Sequence, residues 1–131
     1  MAHHYSVLIR EVHLDSYGHM NNAAYLELFE EARWDLVTPR GFGLNDVKKL
    51  GHGPVILEIN LKFLKEIHLR EKITIVTEFL SQSKKISQVK QKMVKTDGTV
   101  ASEAIITFGL FDLSTRKLIE PTAAWIAAIK D

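Results

Sequence analysis

The segment Asp15-Ser16-Tyr17-Gly18-His19-Met20-Asn21-Asn22 concentrates side chains that can do chemistry. An ionised aspartate can take a proton from an attacking water or attack an electrophilic carbon itself, and Asp15 can serve in either way. Gly18 and the paired asparagines are residue types that make tight turns and cap helices, so a helix is expected to begin at once. The first backbone N–H groups of such a helix lack intrahelical partners and lie at the positive end of its dipole. Those of Asn22 and Ala23 are therefore candidate donors to a developing oxyanion. Each residue also has a plainer role: aspartate is favoured in turns, capping accounts for one asparagine, and His19 can hold the loop by bonding backbone groups.

Other clusters are weaker. Glu30 and Glu31 offer an alternative catalytic carboxylate on the helix, although a solvated or ion-paired face beside Arg33 also explains them. His3, His4, His13, His52 and His68 show no metal-ligand spacing, and no metal site is expected.

The elements that must position these groups follow from periodicity. Residues 5–14 alternate loosely and predict a first strand that delivers the chain to Asp15. Tyr25, Leu26, Phe29, Ala32, Leu36 and Val37 recur at helical spacing and predict a helix over 23–37, ended by Pro39 and Gly41. A short helical turn capped by Asn45 is expected over 45–50, and Gly51-His52-Gly53-Pro54 reads as a connector. Strand alternation then marks 55–63 and 73–79, and Asp97-Gly98 predicts a tight two-residue hairpin turn between strands at 85–96 and 99–111. The alanine-rich end, 121–130, predicts a short helix with Pro121 in its first turn. One early helix followed by consecutive strands defines an α+β class with an antiparallel sheet.

Composition narrows the function classes. A chain of 131 residues fits one domain spanning 1–131, and 46% hydrophobic with 25% charged residues excludes a disordered chain. A formal net charge of +1 gives no field to gather a nucleic-acid backbone. Without cysteine there is no disulfide framework or thiolate chemistry, and no signal-peptide pattern or membrane span is evident, so the chain reads as soluble and cytoplasmic.

The run from Asp15 through Tyr25-Leu26, followed by Phe29-Glu30-Glu31-Ala32-Arg33, resembles the signature of the 4-hydroxybenzoyl-CoA thioesterase-like hotdog family. The resemblance implies a hotdog fold, with an antiparallel sheet of about five strands wrapped around one long central helix. It also implies hydrolysis of an acyl-CoA or acyl-carrier-protein thioester to free acid and thiol, without metal or organic cofactor, by a homodimer or homotetramer whose pocket is shared between subunits. Carried over by residue, Asp15 is the catalytic carboxylate and the backbone N–H of Asn22 or Ala23 polarises the thioester carbonyl, while His19 holds a largely positional role in the catalytic loop. Gly18, Asn21, Tyr25, Lys84 and Lys85 fall to substrate binding, the lysines as nucleotide contacts, and Phe29 and Phe63 join Tyr25 as acyl-pocket candidates. Lys62, Lys65 and Lys90 rank below Lys84 and Lys85 for the nucleotide. Two departures bear on specificity: His13 stands where many members carry an acidic residue, and Lys65-Glu66-Ile67 replaces a segment that commonly contains proline. A catalytically idle hotdog subunit that binds acyl groups or a protein partner is the alternative. Enoyl-thioester hydration ranks lowest, for want of an Asp-x-Asn-Pro-x-His run.

Overall fold

The computed structural model describes residues 2–130. Strand β1 (His3–Leu8) leads through a 3-10 turn (Glu11–His13) and the Asp15 loop into the long helix α1 (Asn22–Val37). A second 3-10 turn (Thr38–Arg40) and a short helix α2 (Leu44–Leu50) precede β2 (His52–Phe63), β3 (Lys72–Ser83), β4 (Ile86–Lys95), β5 (Val100–Asp112), β6 (Lys117–Ile119) and a terminal helix α3 (Ala123–Lys130). Every pairing is antiparallel, in the order β1-β3-β4-β5-β2, with β6 beside β5. This is the expected α+β hotdog arrangement, with six strands instead of about five.

Helix α1 buries Ala24, Tyr25, Leu28, Phe29, Ala32, Leu36 and Val37, one continuous face at helical spacing. That face shares its core with Ile73 and Ile75 of β3, Val89 and Met93 of β4, and Ala104 and Ile106 of β5. Buried positions alternate along β3 and β4, as a sheet covered on one side by a helix requires. Helix α3 closes one end of the core with Trp125, which meets Phe42 edge-on at 4.9 Å between ring centroids. No helix among the described residues is long and apolar enough to cross a membrane.

Several boundaries differ from expectation. The first strand stops at Leu8, because the Arg10 N–H donates to His13 Nδ1 at 2.9 Å and the chain folds into the 3-10 turn instead of continuing the ladder. Helix α2 is capped at Gly43, not Asn45: the Gly43 N–H donates to the Asp46 carboxylate at 3.0 Å. His52-Gly53-Pro54 belongs to β2, where proline is tolerated because β2 is an edge strand. At the hairpin only Gly98 takes a positive φ, +90°, and the Lys95 N–H donates to the Thr99 carbonyl at 2.8 Å, so the loop is longer than two residues. Pro121 lies before α3, whose start is set by Thr122 Oγ1 accepting the Trp125 N–H at 3.1 Å.

Candidate active site

The Asp15 loop is built by short-range bonds around one glycine. The Asp15 N–H donates to the His19 carbonyl at 3.0 Å, and Gly18 turns the chain at φ +90°, a geometry that favours glycine. Asp15 Oδ1 accepts the Tyr17 N–H at 2.8 Å, while Oδ2 lies 3.6 Å from His19 Nδ1, an electrostatic contact longer than a hydrogen bond. Two threads pin the loop to the body: Met20, 1% exposed, donates its N–H to the Ile67 carbonyl at 2.9 Å, and His19 bridges His68 as an isolated antiparallel pair.

At the start of α1 the two asparagines divide the work. Asn21 is the N-cap: its Oδ1 accepts the Ala23 N–H at 2.8 Å, its carbonyl accepts the Ala24 N–H at 3.0 Å, and its own N–H donates to the His13 carbonyl at 2.8 Å. The Ala23 N–H is therefore committed to the cap and is not an open donor. The Asn22 N–H has no protein acceptor among the described residues. It is a helix-start donor without a protein partner.

Asn22 opens on a cleft of about 230 Å³, lined also by His19, Tyr25, Phe63, Lys65 and Glu66. Tyr25 packs edge-on against Phe63, with 4.9 Å between centroids and 86° between planes. Burial, followed by the nearby Glu66 and Glu71 carboxylates, pushes the Tyr25 hydroxyl above its ordinary pKa. Asp15 is not among the residues lining this cleft, and its side chain is 20% exposed.

Not every candidate comes together. Phe29 is wholly buried in the core. Lys84 and Lys85 follow the far end of β3, whereas the Asp15 loop packs near its start, through the Ile9 N–H to the Glu71 carbonyl and the Met20 N–H to the Ile67 carbonyl. Along a strand of 12 residues that separation is roughly 40 Å. The cation lining the cleft within this chain is Lys65. Glu31 accepts a hydrogen bond from the Tyr5 hydroxyl on the β1 side, and Glu30 lines a different cavity, so neither helix carboxylate reaches the cleft.

One group of residues escaped sequence reasoning. His68 lies 3.2 Å from Glu66 and 3.4 Å from Glu71, and Glu71 also pairs with Lys95 at 3.3 Å. Burial would raise the Glu71 carboxyl, but the His68 backbone N–H and the Lys95 ammonium outweigh it and hold it below its ordinary value. This network braces the segment between β2 and β3 that His19 bridges. Its only trace in the sequence is the unusual Lys65-Glu66-Ile67 segment before His68. Among the described residues no three His, Asp or Glu side chains gather into a metal-ligating group.

Residues 7–129 match the model of the thioesterase-like superfamily, and the chain belongs to that superfamily. It is 33% identical over 115 residues to the long-chain acyl-CoA thioesterase FadM of Escherichia coli strain K12, covering 86% of each chain. Its fold superposes on YbaW, a probable thioesterase from Escherichia coli, with a TM-score of 0.84 at 28% identity, covering 97% of this chain and 96% of that one. A hypothetical protein of Staphylococcus aureus, solved in complex with CoA, shares the fold at a TM-score of 0.91 and 19% identity, over 98% of this chain and 82% of that one.

Proposed function

We propose that this protein hydrolyses an acyl-CoA thioester, with Asp15 as catalytic carboxylate and the Asn22 N–H as oxyanion donor. The observation that carries the reading is the division at the helix start: Asn21 occupies the Ala23 N–H and leaves the Asn22 N–H open to the cleft, one loop away from Asp15. The thioester carbonyl oxygen accepts from the Asn22 N–H as negative charge builds on it. Either Asp15 takes the proton of an attacking water, or it attacks the carbonyl carbon to give a mixed anhydride that water then cleaves. In both routes the C–S bond breaks, the thiolate leaves as CoA and takes a proton, and the acid is released. His19, 3.6 Å from Asp15 and lining the cleft, is a positioning residue for the carboxylate. Lys65 at the cleft replaces Lys84 and Lys85 as the cation offered to the CoA phosphates by the same chain.

The protein works as a homo-oligomer in this reading. Edge strand β2 presents Leu57, Ile59 and Phe63, each at least one-third exposed, which a second copy would cover. The absence of cysteine suits a reducing cytoplasm. The rival, an idle acyl-binding subunit, draws on Asp15 Oδ1 being held by the Tyr17 N–H in an ordinary turn. Single-turnover hydrolysis of a saturated acyl-CoA in heavy-oxygen water tests the proposal. Label incorporated into Asp15 marks the nucleophilic route, label in the acid alone fits the water route or cleavage of the anhydride at its acyl carbonyl, and no hydrolysis of any thioester with retained binding supports the rival.

A further inference from the structure

Another cavity lies at the other end of the same seam. Tyr25, near the start of α1, meets Phe63 at the end of β2, whereas Arg33 and Val37, near the end of α1, line a narrow cavity of about 90 Å³ with Pro54 and Ile56 from the start of β2. Helix and strand thus run side by side in opposite directions, with the cleft at one end and this cavity at the other. Asn22, Leu26, Arg33 and Val37 fall on one stripe of the helix, and Leu26 between the two sites is an exposed apolar residue.

The cavity is mostly apolar, walled by Val89, Phe108, Trp125 and Ile129, but it holds one cation. Arg33 donates from Nη1 to Gln91 Oε1 at 2.9 Å, and among the described residues it makes no ion pair. Four of its five N–H donors are therefore unused. Burial, the largest influence, lowers the Arg33 pKa and nearby Glu30 raises it, which marks a guanidinium that is desolvated without a bonded counter-ion. Gln91 is uncharged and cannot neutralise it; its Nε2 donates instead to the Phe29 carbonyl and the Thr77 hydroxyl, both at 3.0 Å. Trp125 adds a second unused donor, an indole N–H that is buried without a partner.

We propose that this cavity receives the distal end of the acyl chain and that Arg33 selects chains ending in a carboxylate. The substrate class is then an ω-carboxyacyl thioester, a deepening that rests on the thioesterase reading of the Asn22 cleft. Eleven residues of helix separate Asn22 from Arg33, roughly 16 Å, and the Arg33 side chain leans back toward the helix start. A chain of about ten carbons fits that span. An aliphatic wall along the seam suits the methylenes, and a planar fork with free donors suits a terminal carboxylate. Glu30, exposed at the cavity, opposes the incoming charge.

Both tryptophans of the chain, Trp34 and Trp125, line this cavity, so their fluorescence reports its occupancy independently of hydrolysis. The test titrates the intact protein with three non-hydrolysable decyl thioethers of CoA, ending in methyl, hydroxyl or carboxylate. The carboxylate form is expected to shift the fluorescence and bind about tenfold tighter than the methyl form, as a charge-assisted bond at a partly buried site allows. Arg33→Met removes that preference at unchanged far-ultraviolet circular dichroism, Arg33→Lys keeps part of it, and Glu30→Gln enlarges it. Equal or tighter binding of the methyl form by the unmodified protein, a hydroxyl form that matches the carboxylate, a preference that survives Arg33→Met, or no fluorescence change with any thioether overturns the proposal. Selective binding without hydrolysis of the matching thioester would instead count against the catalytic reading alone.

Discussion

Asn21 separates the structural role of the helix cap from the chemical role of the donor beside it. Its side-chain oxygen accepts the Ala23 N–H at 2.8 Å, so Asn21→Ala leaves that donor uncapped and costs about 1 kcal/mol of stability. For a chain of this size that is a fall in Tm of about 3–5 °C. Asn21→Asp keeps a capping oxygen of equal quality and gains from the helix dipole, so its Tm should hold or rise. It also places a negative charge beside the Asn22 N–H, where the oxyanion is meant to form. At roughly 6 Å and an effective dielectric of about 20 the repulsion is about 3 kcal/mol; solvent at this exposed residue halves it to about 1.4 kcal/mol, or about tenfold in kcat. The assay is thermal unfolding paired with steady-state hydrolysis of an acyl-CoA at low and high salt, with the loss for Asn21→Asp shrinking as salt rises. Full turnover by a stable Asn21→Asp protein would refute the assignment of Asn22 as oxyanion donor, and an unchanged Tm for Asn21→Ala would refute the cap.

Three further outcomes are expected. Gln91→Leu strands the Phe29 carbonyl, the Thr77 hydroxyl and Arg33 inside the fold, and chemical denaturation should show a loss of about 2–4 kcal/mol. Tyr5, whose hydroxyl donates to Glu31, has its pKa raised from 10.0 to about 12, so its contribution to stability is complete below pH 10 and is lost as pH climbs through 12. Tyr5→Phe should flatten the stability curve in that window. Lys65→Ala should raise KM for an acyl-CoA a few-fold and weaken its salt dependence, while Lys84→Ala leaves KM unchanged; a KM effect of Lys84→Ala would instead put that turn at the cleft of a partner subunit.

Helix α1 and strands β2 to β5 were legible because their burial is periodic: residues such as Ile73, Ile75 and Thr77 alternate in sequence as they do in the sheet. Errors arose where local hydrogen bonds decide the backbone. His13 ends β1 through one ring nitrogen, and Asp46 moves the α2 cap to Gly43, both outcomes that propensity alone does not encode. Strand β6 has three residues and little alternation, and it exists because β5 offers it a partner. In the candidate site, Asp15, Gly18 and the asparagines were readable as residue types, but which helix-start N–H stays open depends on a side-chain rotamer of Asn21. That Lys84 and Lys85 lie far from the Asp15 loop of their own chain follows from strand register, which the sequence does not display, and the Glu66–His68–Glu71–Lys95 brace joins segments far apart in sequence.

The central claim is that Asp15 carries the chemistry, and Asp15→Asn tests it with little change in shape. The amide can still accept the Tyr17 N–H and hold the turn, so Tm should stay within about 3 °C of the unmodified protein. Hydrolysis of a medium-chain acyl-CoA followed by thiol release should then fall by about 100- to 10,000-fold in kcat, with KM little altered. Unreduced turnover in a folded Asp15→Asn protein would contradict the account.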